Sequence, residues 1–339
     1  MNPSTVSTAS LRTENLTKRF GKRSSVDNLN LSIYPGELYA LLGDNGAGKT
    51  TTIGMLTTLL APTSGTFYIC GYNGLTQARQ IRGLFGVVSQ DVSIYNELTV
   101  FENLKFLAEL YGLKKTEIES RIVELLNYAG LMERVNDRAC DLSGGMQRRL
   151  AIACAMVNRP KVLFMDEPTV GLDPASRRQI WAALKGLKKM GVTILLTTHY
   201  LEEAELLADR IGIIRDGKLL VEGTVQELAK KIQGMRGLSI RLTDEASVDD
   251  PVFKEKVERF TARFGTTYRI DSLRNTLYMS QPDSVKMEEF LRMVLDFMSR
   301  EEIPFNKFAS GEPNLEDVFL AVSKEEGREP IAAPGGLNA

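Results

Sequence analysis

The chain has 339 residues, more than one average domain, so two domains are the natural expectation. Hydrophobic residues make up 43% and charged residues 25%, enough of both to bury a core and stay dissolved. With 42 Lys and Arg against 43 Asp and Glu the net charge is −1, which excludes a bulk electrostatic attraction to nucleic acid or anionic lipid.

Residues 1–10, MNPSTVSTAS, are Ser/Thr-rich and expected to be disordered; they lack the charged and apolar regions of a secretory signal. Strands are expected from Leu11: LRTENLTKRF, then NLNLSIYPGELYALLG, whose alternation and final apolar run end in a glycine-rich turn. A helix over Thr50–Leu60 follows, then strands in GTFYICGY and GLFGVVSQ. Residues from about 92 to 158 change period and read as helices: VFENLKFLAELYG, TEIESRIVELLNYAG and GGMQRRLAIACAMV. Strand and helix then alternate through KVLFMDE, PASRRQIWAALKGLKKM, VTILLTTH, LEEAELLAD and RIGIIRDGKLLVEG. Strands alternating with helices predict an α/β fold with a mostly parallel sheet, so the helical stretch is an insertion into it.

This first domain is assigned to residues 11–233, and a small α+β domain to 235–324. The pattern of the second is βαββαβ with a trailing helix, NLEDVFLAVSK, which suggests a ferredoxin-like unit. Residues 325–339 read as a flexible tail. Cys70, Cys140 and Cys154 form no C-x-x-C pair and read as reduced structural thiols. No apolar run approaches the roughly 20 residues needed to cross a bilayer, so work at a membrane requires a partner that holds the chain there.

Residues 43–50, GDNGAGKT, match G-x-x-x-x-G-K-[ST] after an apolar strand and before a helix. Gly43, Gly46 and Gly48 let the backbone curl so that successive N–H groups turn toward phosphate oxygens, with the helix N-terminus behind them. Asp44, Asn45, Ala47 and Thr51 complete this candidate binding segment. Lys49 supplies a mobile positive charge, and Thr50 a hydroxyl for Mg²⁺.

VLFMDE is an apolar run ending in Asp166 and Glu167, as in a buried parallel strand whose C-terminal end lies at a ligand edge. Asp166 is placed to hold Mg²⁺ through water, and Glu167 to orient or deprotonate an attacking water. LSGGMQ has two readings. Ser143 can cap the following helix, the commoner local outcome. Alternatively Ser143, Gly144 and Gly145 form a second anion site at that helix N-terminus. Gln90 ends a strand where the helical insertion begins, GLDP spans Gly171 to Pro174, and His199, the only histidine, ends VTILLTTH.

In this order, GDNGAGKT, Gln90, LSGGMQ, LFMDEP, GLDP and His199 resemble the motif set of the ATP-binding-cassette nucleotide-binding domain over about residues 11 to 231. The resemblance implies that Phe20 stacks on adenine, where the family more often has tyrosine, and that Lys49, Thr50 and Gln90 serve phosphate and Mg²⁺. It implies Glu167 as catalytic base and His199 as γ-phosphate sensor. Ser143, Gly144, Gly145, Gln147 and Asp173 are implied to meet the ATP or phosphate loop of an opposite subunit, so that two cassettes pair head to tail. Every catalytic position is filled, which implies active hydrolysis of ATP.

NELTVFENLKFLAELYG and PNLEDVFLAV further resemble the daunorubicin-resistance branch of exporter ATPases. That resemblance implies a separately encoded membrane permease with six transmembrane helices, an exported drug, lipid or polysaccharide, and a place on the cytoplasmic face of the cell membrane. The second cassette is implied to be another copy or a paralogue, and nucleic acid is not an expected partner. A soluble cassette ATPase outside transport and an importer ATPase are the alternative readings.

Overall fold

The computed structural model describes residues 9–231 and 237–319, except 244, 273–274, 283, 312–314 and 316–317. Most of the expected disordered start, most of the trailing helix over 314–324 and the whole tail 325–339 lie outside the described residues.

The first unit begins with β1 (Leu11–Phe20), β2 (Arg23–Leu29), β3 (Ser32–Ile33) and β4 (Leu38–Leu42). The single extended stretch expected over NLNLSIYPGELYALLG is thus broken between β3 and β4, at Pro35 and at Gly36, whose φ of 75° turns the chain. After the glycine-rich turn come α1 (Lys49–Leu56), β5 (Ser64–Ile69), β6 (Tyr72–Asn73), α2 (Ala78–Arg82) and β7 (Phe85–Val88). Helix α1 stops short of the expected Leu60. Thr57 donates its hydroxyl back to Ile53 O at 2.8 Å, and Thr58 takes a left-handed φ of 63°.

The helical insertion supplies α3 (Val100–Leu110), α4 (Lys115–Ala129) and α5 (Gly144–Ala155). Thr99 and Glu102 close a capping box at the start of α3, with Glu102 N donating to Thr99 Oγ1 at 3.1 Å and Thr99 N donating to Glu102 Oε2 at 2.8 Å. The unit then runs through β8 (Val162–Asp166), α6 (Pro174–Lys189), β9 (Thr193–Thr198), α7 (Leu201–Leu207), β10 (Arg210–Arg215) and β11 (Lys218–Gly223).

The central sheet has the order β11-β10-β4-β9-β8-β7, parallel throughout except for the β10–β11 pair. That pair is a hairpin turning at Asp216 and Gly217, both with positive φ, as an Asp-Gly turn between twisted strands requires. Strands β4, β8 and β9 are buried at every position, which is why they read as unbroken apolar runs. Alternate residues serve opposite faces. Leu163, Met165, Ile194 and Leu196 join the core formed with α3, α4, α5 and α6, while Val162, Phe164, Leu195 and Leu41 join the core shared with β1, β2 and β5. Each fully buried side chain of this kind contributes about 1.5–3 kcal/mol.

The antiparallel strands β2-β1-β5-β6, with β3 beside β1, form a second sheet of the first unit. On the opposite face of the central sheet, α5 comes so near β7 that a Cβ at Gly86 would lie 2.1 Å from the carbonyl oxygen of Ala155. Glycine is required there by close approach.

The chain divides into its two units between Thr224 and Val225. The second contains α8 (Val225–Lys231), β12 (Gly237–Leu242), α9 (Pro251–Phe264), β13 (Tyr268–Asp271), β14 (Thr276–Ser280), α10 (Met287–Arg300) and β15 (Phe305–Gly311). Its antiparallel sheet, ordered β13-β14-β12-β15, has the ferredoxin-like strand order. Leu238, Ile240, Leu277 and Met279 pack against Phe253, Val257, Phe290 and Val294 of the two amphipathic helices.

Replacing Gly86 by valine forces α5 away from β7. The expected cost is about 1–3 kcal/mol, typical of overpacking, read as a lowered urea midpoint. An unchanged midpoint would show that α5 yields freely at this contact.

Candidate active site

Parallel pairing puts the C-terminal ends of β4, β9, β8 and β7 on one edge. Leu42 pairs with Thr198, Asp166 with Thr197, and Val88 with Met165. The next residues along each strand are therefore Gly43, His199, Glu167 and Ser89–Gln90, and they emerge side by side.

The phosphate-loop backbone curls through Gly46 (φ 83°) and Gly48 (φ 105°) into α1. A Cβ at Gly48 would sit 2.3 Å from Ser25 O, so both space and conformation exclude a side chain there. The loop is anchored by Gly43 N to Thr198 O, Ala47 N to Asp44 O, and Gly217 N to Ala47 O. Lys49 folds back inside this curl and is only 4% exposed. Its ammonium donates to Gly43 O at 2.7 Å and Asp44 O at 3.0 Å, and it pairs with Glu167 Oε1 at 2.9 Å.

Glu167 is buried and held in a left-handed backbone conformation (φ 46°) just past the end of β8. Its N–H donates to Thr197, to the carbonyl oxygen at 3.1 Å and the hydroxyl at 3.2 Å. Such strain in a non-glycine residue persists only where the surroundings over-determine it. The second carboxylate oxygen lies 3.0 Å from His199 Nδ1. The hydrogen bond from His199, followed by those from Lys49, lowers the Glu167 pKa from an ordinary 4.5 to about 2. An ionised Glu167 accepts, so Nδ1 is the protonated nitrogen of His199. Asp166, one residue earlier, is buried and accepts from the Thr197 hydroxyl.

Lys49, Glu167 and His199 border a cavity of about 710 Å³, and Asp166 does not line it. Of the residues singled out in the sequence, Phe20, Asn45, Gly46, Gly48, Lys49, Thr50, Thr51, Gln90, Glu167 and His199 line it. Gly43, Asp44 and Ala47 build the loop behind it through the bonds described above. Phe20 is exposed, with Lys18 Nζ 5.1 Å from its ring centre. Arg23, Ser25 and Val170 also line the cavity and were not anticipated. Arg23 and Ser25 alternate along β2 directly after Phe20, a signal that period-2 reading of that strand would have found. Ser25 Oγ lies 2.9 Å from Thr51 Oγ1, joining β2 to α1. Thr197, which holds both Asp166 and the Glu167 backbone, carries no motif and was also missed.

Ser143, Gly144, Gly145, Gln147 and Asp173 do not line this cavity. Ser143 is the N-cap of α5, its hydroxyl accepting from Met146 N at 3.3 Å. A Cβ at Gly145 would fall 2.5 Å from Ser176 Oγ, so glycine lets α5 meet α6. Asp173 caps α6, accepting from Ala175 N and Ser176 N, both at 2.9 Å, and from Ser176 Oγ at 2.6 Å. Gln147 Nε2 donates to Ala139 O at 2.9 Å. Both readings of LSGGMQ keep their basis, because a capped helix start still presents backbone N–H groups.

The sequence family described as ABC transporter matches residues 26–170. Nod factor export ATP-binding protein I of Cupriavidus metallidurans is 38% identical over 331 residues, covering 95% of this chain and 100% of that protein. The chain belongs to the ABC transporter family. The daunorubicin/doxorubicin resistance ATP-binding protein DrrA of Streptomyces peucetius is 37% identical over 317 residues, covering 93% of this chain and 93% of the relative. Among solved structures, a dimeric post-hydrolysis ATP-binding cassette bound to ADP and Pi is 30% identical with a TM-score of 0.57, over 63% of this chain and 98% of that one.

This ABC subunit is an ATP-binding subunit of a transporter and an ATPase. Among the described residues no helix is long and apolar enough to cross a membrane. Nor do the described residues hold a group of three His, Cys, Asp or Glu that could bind a metal by itself. Thr50 and Gln90 at the cavity, with Asp166 behind, make a sparse oxygen set. That chemistry fits Mg²⁺, which keeps waters and shares substrate phosphates rather than filling a protein cage.

Because folding lowers the Glu167 pKa, its contribution to stability is fully present above pH 4.5 and is lost as pH falls toward 2. The stability difference between wild type and Glu167→Gln, from urea unfolding, should therefore shrink steadily from pH 4.5 down to 2. A difference independent of pH over that range would mean that His199 and Lys49 do not hold the carboxylate.

Proposed function

We propose that this subunit hydrolyses ATP as one half of a head-to-tail cassette pair and thereby drives a separate membrane permease that exports a drug, lipid or polysaccharide. The observation that carries the reading is the convergence of Lys49 and His199 on Glu167, each within 3.0 Å of one of its carboxylate oxygens, on the edge that also presents the phosphate loop and Gln90.

Adenine stacks on Phe20, which offers only a π face and needs no more. The triphosphate lies along Gly43, Asp44, Asn45, Gly46, Ala47 and Gly48, with Thr51 in the first turn of α1 behind it. Phosphate oxygens compete with Gly43 O, Asp44 O and Glu167 for the Lys49 ammonium. As Lys49 turns to them, Glu167 loses one of the two contacts that depress its pKa. It then becomes a better base, since a useful base needs a pKa nearer the working pH. Water between Glu167 and the γ-phosphorus gives a proton to the carboxylate as it forms the new P–O bond, and the bond to the β-phosphate oxygen breaks. His199 orients Glu167 and senses the γ-phosphate, and Gln90, just past the end of β7, serves the phosphates from that side. Thr50, Gln90 and Asp166 would hold Mg²⁺, which when bound neutralises charge developing on the phosphates.

Ser143, Gly144, Gly145 and Gln147, lying off this subunit's own cavity, act on the opposite subunit's ATP, and Asp173, also off it, meets the opposite subunit's phosphate loop. ATP thus joins two subunits by charge-assisted contacts that hydrolysis releases. The second cassette is another copy or a paralogue. The export assignment rests on the resemblance of residues 90–112 and 235–323 to the exporter branch and on relatives named for Nod factor export and drug resistance. Contact with the membrane then runs only through the permease, at the cytoplasmic face, and nucleic acid has no part.

Glu167→Gln should keep ATP binding, lower kcat at least ~10²-fold and trap an ATP-bound dimer on gel filtration. Normal turnover by this variant would remove Glu167 from the chemistry.

Ser143→Asn separates the two readings of the signature, because asparagine caps a helix about as well as serine. Crowding of the partner's γ-phosphate should abolish ATP-driven dimerisation in the variant, while its thermal midpoint stays within about 1 °C. A variant that dimerises like wild type would reduce LSGGMQ to a cap.

A further inference from the structure

Arg148 is a buried cation with no role in the chemistry above. It lies in α5, five residues beyond Ser143, and is only 3% exposed. Its guanidinium donates from Nη1 to Ser89 O and from Nη2 to Gln90 O, both at 2.6 Å, while Nε is buried without a partner. Asp91 and Asp166 supply the surrounding negative field, and burial opposes them. The following α5 residues, Leu150, Ala151 and Ile152, are apolar and buried. Packing alone would favour the same at position 148, since replacing a buried charge by a well-packed apolar side chain is often stabilising. The charge therefore meets another demand.

That demand is visible in what the two bonds join. Ser89 and Gln90 directly follow β7, where Val88 pairs with Met165, so their carbonyls sit beside the Asp166–Glu167 edge. Helix α5 begins with Ser143, Gly144 and Gly145. A planar two-pronged donor that holds two consecutive carbonyls fixes both position and orientation, which a single ammonium does not. The absence of a side chain at Gly86 brings β7 and α5 close enough for this contact.

We propose that Arg148 is a positioning residue that carries the placement of Gln90, in a subunit's own ATP cavity, to the signature helix serving the ATP of the opposite subunit. This rests on the head-to-tail reading given above. Occupation of one cavity thereby adjusts the donor that completes the other, so the two ATP sites are linked through the backbone of residues 89–90. The route is a contiguous chain of bonds with a named clamp at its centre.

The test uses the full chain with Arg148→Met, which keeps the stem and removes the donors, and Arg148→Lys, which keeps the cation and removes the fork. ATP affinity of the isolated subunit should stay within about 3-fold, while kcat falls about 10-fold, as expected for losing a charge-assisted pair felt only in the assembled site. Arg148→Lys should recover less than half of that loss. Hydrogen exchange with AMP-PNP and Mg²⁺, at concentrations where gel filtration shows a monomer, provides the second readout. In wild type, protection around residues 88–92 should extend to 144–149; in Arg148→Met it should remain at 88–92 and disappear from α5. If Arg148→Met does not fold, the same split is expected in Arg148→Lys. Undiminished protection of α5 in the variants, full recovery of kcat by lysine, or affinity and kcat falling together would each overturn the proposal. Lys49→Ala run in parallel reports separately on the ATPase reading: turnover retained there would sink that reading, whatever Arg148 does.

Discussion

The parallel pairing of β4, β9, β8 and β7 is the constraint from which the rest follows. Parallel strands end on the same edge, so every loop leaving that edge opens beside its neighbours. The pairs Leu42–Thr198, Asp166–Thr197 and Val88–Met165 fix the register. A slip of one residue in β8 would exchange the faces of Leu163 and Phe164 between two cores. The packing of the interior therefore sets the height at which Glu167, His199, Gln90 and the phosphate loop emerge.

At that edge, charge is arranged to be used. Lys49 and Glu167 are both buried, and each has its donors or acceptors filled by the other, by His199 or by loop carbonyls. Buried charges are tolerable only when paired in this way. In the proposed reaction phosphate oxygens would compete for Lys49 and change the environment of Glu167 at the same moment, so binding and activation of the base would be one event. Arg148 solves a similar burial problem with carbonyl dipoles, and in doing so binds the Gln90 segment to the helix that starts at Ser143.

Much of this was legible because it depends on short stretches of chain. A phosphate loop needs glycines at fixed spacing followed by lysine and a hydroxyl, and GDNGAGKT supplies them without reference to anything distant. Buried parallel strands need unbroken apolar runs, so VLFMDE and VTILLTTH announced both themselves and the polar residues at their ends. Helices of the insertion and of the second unit were visible through their period. Less legible were the breaks: Pro35–Gly36 divides what read as one strand, and a threonine back-bond ends α1 early.

Sequence by itself determined the fold class, the main strands and helices and which motif residues end the core strands, because those follow from local spacing and hydrophobic period, whereas the short elements β6 and α2 and the strand β2 were not anticipated. Only the tertiary structure decided that both oxygens of Glu167 are engaged at once, that Thr197 anchors Asp166 and the Glu167 backbone together, and that Arg23 and Ser25 join the cavity. It also decided that Ser143 and Asp173 lie outside that cavity and that Arg148 grips Ser89 and Gln90. These relations link residues tens of positions apart, through distances and burial that no local pattern encodes.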